Sequence, residues 1–183
     1  MKFTKTSIPG VVSIEIEPHV DERGFFARTY CALEFSSAGI EAPLIQNSMS
    51  YSKSAGTLRG MHFHAAPFQQ TRLIRCISGE AFTVALDLRP TSPAFLEHIT
   101  SELTAESSNA LFIPTGVALG YQTACDNTIM YYQMSELYDP EFERGVRWND
   151  PAFSIKWPDA NRIMNERDAT YPDFDADTAK DLV

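Results

Sequence analysis

The sequence has little cysteine. Only Cys31, Cys76 and Cys125 occur in its 183 residues, and no two of them form a C-x-x-C pair. An odd number of widely spaced cysteines fits neither a disulfide framework nor a cysteine-rich zinc site. We therefore expect free thiols that pack as small apolar side chains in a reducing compartment, which favours a cytoplasmic location.

Long apolar segments are also absent. The opening segment MKFTKTSIPG carries two lysines but no apolar run after them, so it predicts no secretory signal. No later run approaches the roughly 20 apolar residues that a membrane-spanning helix needs. We therefore expect no membrane partner.

Positive charge is scarce. Lysine and arginine number 15 against 24 aspartates and glutamates, which gives a formal net charge of −9. Nucleic-acid binding needs clustered cations that neutralise phosphates, so this composition argues against a nucleic-acid partner. A small anion remains compatible with the composition where a few arginines converge.

Short strands separated by turn residues dominate the chain. Residues 11–18 alternate apolar and polar side chains, and residues 72–89 read as two strands joined at 78–80. Further short strands are predicted at residues 94–103, 110–114, 118–124 and 128–137. Many short strands at near-regular spacing predict an all-β fold, an antiparallel jelly roll or barrel.

The remaining segments suggest one domain. Residues 30–39 have near-helical apolar spacing and end in glycine, which predicts a short helix. The chain becomes irregular and acidic after Trp157, and we predict a second short helix near 175–182. The predicted parts are an N-terminal arm at about 1–48, a barrel at about 49–150 and a C-terminal extension at about 151–183.

His62 and His64 stand one residue apart in GTLRGMHFH, a spacing found in metal-binding cupins, which are jelly rolls. Those proteins add a nearby glutamate and a later histidine. Here Gln69 and Leu119 occupy these two positions. An amide and a leucine do not complete a transition-metal site, so we predict no metal.

A histidine without a metal can serve as a general base, because its pKa lies near about 6.5. It then needs an orienting carboxylate, a proton donor and a cation. Arg59, Arg72 and Arg75 lie close in sequence. Arg72 and Arg75 point to opposite faces of a strand, so only some of these arginines can enter one cavity. The rest would be solvated surface charges.

Several segments in consistent order carry a likeness to a known family: DERGFF, LRGMHFH, GEAFTVALDLR, IPTGVALGY, ERGVRWNDP and NERD. From about residue 12 to 168 the sequence resembles the dTDP-4-dehydrorhamnose 3,5-epimerases, a metal-free branch of the cupins. The resemblance implies epimerisation of a nucleotide-linked 4-keto-6-deoxy sugar at C3, C5 or both, through an enolate. It places the protein in deoxysugar and cell-surface polysaccharide biosynthesis, without a cofactor.

The resemblance also implies roles for particular residues. It makes His62 the base, Asp168 the carboxylate that orients it and Tyr132 the acid. The implied catalytic residues are His62, Tyr132, Asp168 and Arg72, and the implied substrate-binding residues are Arg59, Arg23, Phe26, Arg28, Gln46, Ser48, Tyr138 and Leu119. In the family the N-terminal arm reaches the nucleotide of the neighbouring subunit, which implies a homodimer.

Some positions depart from the family pattern. Arg72 stands where the family usually has a lysine near the C4 oxygen, which keeps the charge but changes its shape. Leu119 replaces a second active-site histidine, which leaves single-carbon epimerisation, another sugar and simple local repacking open. Arg28, a donor only, replaces a glutamate that contacts thymine, and Ser48 and Met49 also differ. We therefore hypothesise a base other than thymine.

Other functions stay open at this point. A sugar-nucleotide 3,4-ketoisomerase shares the fold and the enolate but moves the carbonyl. A non-catalytic sugar-nucleotide-binding protein would keep the pocket without the chemistry. A metal-dependent cupin is the remaining reading of the His-x-His pair.

Overall fold

The computed structural model describes residues 1–41 and 43–176, and most of its regular structure is β-strand. The strands are β1 (Lys2–Lys5), β2 (Val12–Glu15), β3 (His19–Asp21), β4 (Gly24–Phe26), β5 (Gln46–Ser52), β6 (Leu58–His64), β7 (Arg72–Ser78), β8 (Glu80–Asp87), β9 (His98–Thr104), β10 (Ala110–Ile113), β11 (Val117–Thr123), β12 (Thr128–Met134) and β13 (Glu143–Gly145). The helices are α1 (Ala32–Ser37) and α2 (Glu166–Ala169).

Two antiparallel sheets form the body of the protein. One has six strands in the order β1-β2-β10-β7-β12-β5, and the other has five in the order β13-β6-β11-β8-β9. Ile74 and Met130 of the first sheet pack with Ala85, Val117 and Leu119 of the second in one buried cluster. The facing sheets confirm the all-β antiparallel jelly roll that the strand pattern predicts.

Strand β8 is buried on both faces, and the alternation of its side chains explains how. Ala81 and Ala85 point between the sheets. Val84 and Leu86 point the other way, where Trp157 and other residues of the C-terminal segment cover them. Neither face of the sheet is exposed to solvent at β8, which is why both sets of side chains are apolar or small.

Helix α1 covers the outer face of the six-stranded sheet. Its Phe35 packs against Leu73 and Phe112, which confirms the helix predicted over residues 30–39. Arg75 reaches the same side and donates hydrogen bonds to the backbone carbonyls of Thr29 and Ser108, at 2.7 Å and 3.2 Å. Arg75 thus lies on the face opposite Arg72, as the strand periodicity predicts.

Two features of the structure were not predicted from the sequence. Strands β1 and β2 pair within the six-stranded sheet, so the sheet begins well before the predicted end of the arm near residue 48. Strand β1 is short and mostly exposed, so its local signal is weak and sheet pairing decides it. Helix α2 was not predicted. Most of the helix predicted near 175–182 lies outside the described residues.

Two glycines bring β6 and β11 close together beside the candidate site. Gly60 has a φ of 125°, and a Cβ on it would lie 2.5 Å from the Cα of Gly120. A Cβ on Gly120 would in turn lie 2.5 Å from the sulfur of Met61. A side chain at Gly60 would therefore push apart the strands that carry the site, whereas one at Gly120 would first displace the side chain of Met61. Among the described residues, no helix is long and apolar enough to cross a membrane.

Candidate functional site

The candidate site is a cavity of about 210 Å³ that lies between the sheets and is bounded at one side by α2. Its lining residues are Arg59, His62, Arg72, Leu119, Tyr121, Tyr132, Glu143, Asn165, Arg167 and Asp168. The structure therefore brings together the residues predicted to be catalytic, although they are far apart in sequence. The predicted substrate-binding residues Arg59 and Leu119 lie in the same cavity.

His62 and Asp168 form a hydrogen-bonded pair. The distance between Nε2 of His62 and Oδ1 of Asp168 is 2.8 Å, with His62 partly exposed to the cavity and Asp168 buried. An ionised carboxylate only accepts, so Nε2 donates and the lone pair of the neutral ring is on Nδ1. His62 is thus oriented with one nitrogen available as a base.

The backbone around Asp168 keeps it ionised. Its Oδ2 accepts from the Gly60 backbone N–H at 3.0 Å, and Asn165 caps α2 by accepting from the Asp168 backbone N–H. Burial by itself would raise the pKa of Asp168, but the bond and charge of His62, the Gly60 N–H and the charge of Arg167 together lower it. A lowered pKa means that the carboxylate stays charged and holds His62 at ordinary pH.

Tyr132 enters the cavity from the opposite sheet. It lies on β12, whereas His62 lies on β6, so the two side chains come from facing sheets. Burial raises the pKa of Tyr132 well above its usual value, the neighbouring Tyr121 raises it further, and the charges of Arg72 and Arg59 act in the opposite direction. The phenol is therefore protonated and able to donate.

Arg72 is buried and points into the cavity from β7. It donates to the backbone carbonyl of His62 at 3.0 Å and contacts Nδ1 of His64 at 2.9 Å. Within the described part of the chain, no carboxylate forms an ion pair with Arg72 or with Arg59. Burying an unpaired cation is costly, so this arrangement favours an anionic ligand or an oxygen that becomes anionic.

Arg59 lies at the exposed side of the cavity. It belongs to β6, and its Nη2 donates to the backbone carbonyl of Tyr51 at 3.2 Å. Its guanidinium is otherwise solvated, which leaves donors free for a ligand. Arg59 and Arg72 therefore enter the cavity and Arg75 does not, as the strand periodicity predicts.

The sequence did not indicate that Glu143 and Arg167 belong to the site. Arg167 Nη1 donates to Oε2 of Glu143 at 2.5 Å, and the Tyr138 hydroxyl donates to the same oxygen at 3.1 Å. Burial alone would raise the pKa of Glu143, but Arg167 and His62 lower it. No local signal joins residues 24 positions apart, although both stand in the family-like segments ERGVRWNDP and NERD.

Tyr171 is another neighbour that the sequence did not indicate. Its ring lies edge-on to His62, with 6.4 Å between the ring centroids. The ring occupies the space beside Gly145, where a Cβ would lie 2.3 Å from it. Gly145 therefore has to lack a side chain for Tyr171 to lie at this position beside His62.

A second pocket of about 200 Å³ adjoins the first and shares His62, Arg72, Tyr132 and Glu143 with it. Its other lining residues are Ser48, Met49, Ser50, His64, Gln70, Met134 and Tyr138. Gln46 does not line it but accepts from the Tyr138 backbone N–H at 2.9 Å. Of the predicted substrate-binding residues, Ser48 and Tyr138 therefore lie here, and Gln46 supports Tyr138.

The predicted arm residues do not line either pocket of the single chain. Arg23 pairs with Asp21 next to the turn between β3 and β4, and Phe26 is 77% exposed. Arg28 donates to Glu34 at 2.5 Å. Their assignment to a substrate site in a partner subunit stays a prediction.

Leu119 is almost fully buried and pairs directly with His62 across β11 and β6. It gives the cavity an apolar wall beside the histidine. In the described residues, no three His, Cys, Asp or Glu side chains are grouped so that they could hold a metal ion.

The fold and the pocket define a class of protein: a cupin-type jelly roll with a carboxylate-oriented histidine and a protonated tyrosine. Beside them lie two arginines that pair with no carboxylate among the described residues. Comparison with known proteins gives the family. The chain belongs to the dTDP-4-dehydrorhamnose 3,5-epimerase family, whose model matches residues 5–176. The family resemblance drawn from the sequence is confirmed, and the chain is an enzyme of the isomerase class.

Individual relatives cover nearly the whole chain. The dTDP-4-dehydrorhamnose 3,5-epimerase of Shigella flexneri is 36% identical over 97% of this chain and 98% of its own length. The enzyme of the same name from Methanothermobacter thermautotrophicus is 40% identical over 93% of this chain and 92% of its own length.

Solved structures of named epimerases superpose closely on this chain. The Bacillus anthracis dTDP-4-dehydrorhamnose 3,5-epimerase, with TDP and PPi bound, superposes with a TM-score of 0.92 at 34% identity, covering 94% of this chain and 99% of that one. ChmJ, a 3'-monoepimerase from Streptomyces bikiniensis in complex with dTDP-quinovose, has a TM-score of 0.86 at 29% identity, covering 92% and 85%. These matches support neither the ketoisomerase nor the non-catalytic alternative.

Proposed function

We propose that the protein epimerises a nucleotide-linked 4-keto-6-deoxy sugar. It removes a proton from a carbon next to the ketone and returns a proton to the opposite face of the same carbon. The observation that carries this proposal is the 2.8 Å pair of His62 and Asp168 in a cavity that Tyr132 enters from the facing sheet. A base and an acid on different walls can act on opposite faces of one carbon, which is what inversion requires. The relatives named as epimerases of dTDP sugars support the substrate class.

The first step is proton abstraction. The C4 ketone acidifies the hydrogens on C3 and C5, and Nδ1 of His62 removes one of them. The electron pair of the broken C–H bond moves into the ring and onto the C4 oxygen, giving an enolate. Asp168 stabilises the imidazolium that forms, and Arg72 stabilises the oxyanion with a charge that needs no reorganisation.

The second step returns a proton to the other face. The Tyr132 hydroxyl gives its proton to the same carbon, and the C4 carbonyl re-forms. The enzyme is left with an imidazolium and a phenolate, and exchange with solvent restores both groups. Burial keeps the pKa of Tyr132 well above its usual value, so the phenolate is short-lived, and the charges of Arg72 and Arg59 act in the opposite direction.

The nucleotide is proposed to bind through its diphosphate at Arg59. A planar guanidinium suits two phosphate oxygens, and Arg59 is exposed and lacks a carboxylate partner in the described chain. By the family resemblance the base would meet Arg23, Phe26 and Arg28 of a partner subunit, in a homodimer in the cytoplasm. Chemical crosslinking and an Arg23→Ala variant that loses binding would support the shared site.

The nucleobase of the substrate is the part whose proposed contacts differ from those of the relatives. The Bacillus anthracis enzyme is bound to TDP, whereas Arg28 of this chain is a donor that cannot accept from the thymine N3–H. We therefore propose a base with acceptor groups at this position. Titrations with dTDP, UDP, GDP and CDP test it, and a clear preference for dTDP would contradict it.

The proposed reaction is tested by incubation of 4-keto-6-deoxy sugar nucleotides in D₂O. We expect deuterium at a carbon next to the ketone, detected by NMR and mass spectrometry, and no incorporation with His62→Ala. A protein that binds the nucleotide sugars but exchanges no proton, or a His62→Ala variant that equals the wild type, would overturn the proposal.

A further inference from the structure

His64 holds Arg72 in place from the opposite sheet. The distance between Nη2 of Arg72 and Nδ1 of His64 is 2.9 Å, and Nη1 of Arg72 donates to the His62 backbone carbonyl at 3.0 Å. Both acceptors belong to β6 in the five-stranded sheet, whereas Arg72 belongs to β7 in the six-stranded sheet. Two acceptors fix both the position and the plane of the guanidinium, which a single bond would leave free to rotate.

The chemistry of this contact determines the tautomer of His64. A guanidinium only donates hydrogen bonds, so Nδ1 of His64 has to accept with its lone pair. The neutral ring then carries its proton on Nε2. That atom is buried, and the backbone of Asp139 is the group placed to accept from it. The bond to Arg72 therefore fixes which nitrogen of the neutral His64 ring carries the proton.

The surroundings keep His64 neutral. Burial and the charge of Arg72 lower the pKa of His64 to about 4, against opposing effects of Glu143 and Asp139. The Tyr138 ring also faces it, with 5.4 Å between the ring centroids. At the pH at which His62 acts as a base, His64 consequently keeps its lone pair for Arg72.

Arg72 has further N–H donors beyond those used in these two hydrogen bonds. A guanidinium carries five N–H groups, and the contacts with His64 and His62 use two of them. The side chain lines both adjoining pockets, and no carboxylate in the described chain pairs with it. The remaining donors therefore face the space where a substrate oxygen would lie.

We propose that His64 is a positioning residue, which as a neutral acceptor orients Arg72 toward the substrate oxygen that becomes the enolate. This inference rests on the proposed epimerase function. It also accounts for the arginine at this position, because a wide planar fork needs an anchor that a compact ammonium group does not.

The test compares His64→Leu with His64→Asn. Oδ1 of asparagine stands near the position of Nδ1 and can accept from Arg72, whereas leucine fills the space without an acceptor. For the leucine variant we expect kcat of deuterium exchange to fall by about 10-fold or more with KM changed by less than about 3-fold, because the loss concerns charge stabilisation in the transition state. The asparagine variant should keep most of the wild-type kcat.

A double-mutant cycle shows whether His64 acts through Arg72. In an Arg72→Met background, His64→Leu should cause no further loss of kcat, because the group that it positions is already gone. Thermal melting of every variant checks that it is folded. The inference is contradicted if the two substitutions lower kcat independently, so that their fold-losses multiply in the double variant. Equal kcat values for His64→Leu and wild type would also contradict it.

The tautomer supplies a readout that does not depend on activity. In ¹⁵N NMR of histidine-labelled protein, the signals missing from His64→Asn identify His64, and we expect a neutral ring protonated at Nε2 at neutral pH. In Arg72→Met its pKa should rise. A ring protonated at Nδ1 or at both nitrogens would overturn the inference even if the enzyme is active. Failure of wild type to exchange deuterium while His64 shows the expected tautomer would instead contradict the proposed reaction.

Discussion

Leu119 lies directly opposite His62 in the ladder between β11 and β6, so an apolar side chain forms the wall next to the proposed base. The Gly60–Gly120 contact holds these two strands close together and brings Leu119 to this position. This relationship bears on which carbon can present its hydrogen to His62.

The first prediction concerns the number of carbons that react. We expect wild type to exchange deuterium at one carbon only, and Leu119→His to add exchange at the second because it restores a polar group there. The new buried imidazole should also lower stability by about 1–3 kcal/mol, since it lacks a built-in partner. Position-resolved NMR of the product measures the exchange, and thermal melting measures the stability.

Leu119→Met is the matched control for that variant. It conserves volume and apolar character, so the exchange pattern of wild type should remain. Exchange at both carbons in wild type would show that Leu119 changes the local packing of the cavity wall and not the number of carbons that react.

The second prediction separates the acid from the base. In Tyr132→Phe, His62 can still remove a proton and return it to the same face. We expect slow deuterium incorporation without net inversion, whereas His62→Ala should abolish both. Product stereochemistry by NMR together with deuterium content by mass spectrometry distinguishes these outcomes. Full inversion by Tyr132→Phe would assign the acid to another residue.

The third prediction concerns Asp168 and acid stability. The hydrogen bond and charge of His62 hold the folded-state pKa of Asp168 below the ordinary value for an aspartate. Its ionised form therefore stabilises the folded protein above that ordinary value, and the stabilisation is lost as the pH falls through the lower folded pKa. Asp168→Asn should remove this dependence below about pH 4. Denaturant melts at a series of pH values measure it.

Asp168→Asn should also lower kcat by about 10²-fold or more, because an amide neither fixes the tautomer of His62 nor stabilises its imidazolium. Asp173→Asn is the control, since Asp173 is 75% exposed and pairs with Arg147 outside the cavity. An unchanged kcat in Asp168→Asn would mean that His62 needs no orienting carboxylate.

The fourth prediction concerns Arg167, which ties α2 to β13 through Glu143. Arg167 is half exposed, so Arg167→Met should cost about 1 kcal/mol of stability or less. Because Asp168 is the next residue on α2, we expect a larger effect on kcat, about 10-fold. Arg144→Met serves as the control, because in the described chain the Arg144 side chain donates to the backbone carbonyls of Glu141 and Glu143 and does not line the cavity. Equal kcat values in the two variants would contradict this role.

Local pattern was enough for much of the fold. The turn at residues 78–80 predicted the boundary between β7 and β8, and a terminal glycine predicted the helix that contains Phe35. It failed for β1, which is short and mostly exposed, and for α2, a single turn whose cap at Asn165 has no apolar run behind it. Such elements exist because their neighbours pair with them or pack on them, and a linear pattern does not contain that information.

For the candidate site, too, the sequence predicted some features and missed others. The His-x-His spacing and the positions of Gln69 and Leu119 predicted a base rather than half of a metal site, and strand periodicity separated Arg72 from Arg75. The family-like segments supplied Asp168 and Tyr132. The roles of these residues stay proposals, while their convergence in one cavity is seen in the structure.

The sequence by itself determined the family, the all-β class and the residues that carry the proposed chemistry, because these depend on motif identity and on the period of a strand. Only the tertiary structure decided that His64 holds Arg72, that Arg167 pairs with Glu143 and that Tyr171 lies against His62. These contacts join facing sheets and the C-terminal segment. Their hydrogen bonds and pKa shifts arise from distance and burial, which only the packed chain defines.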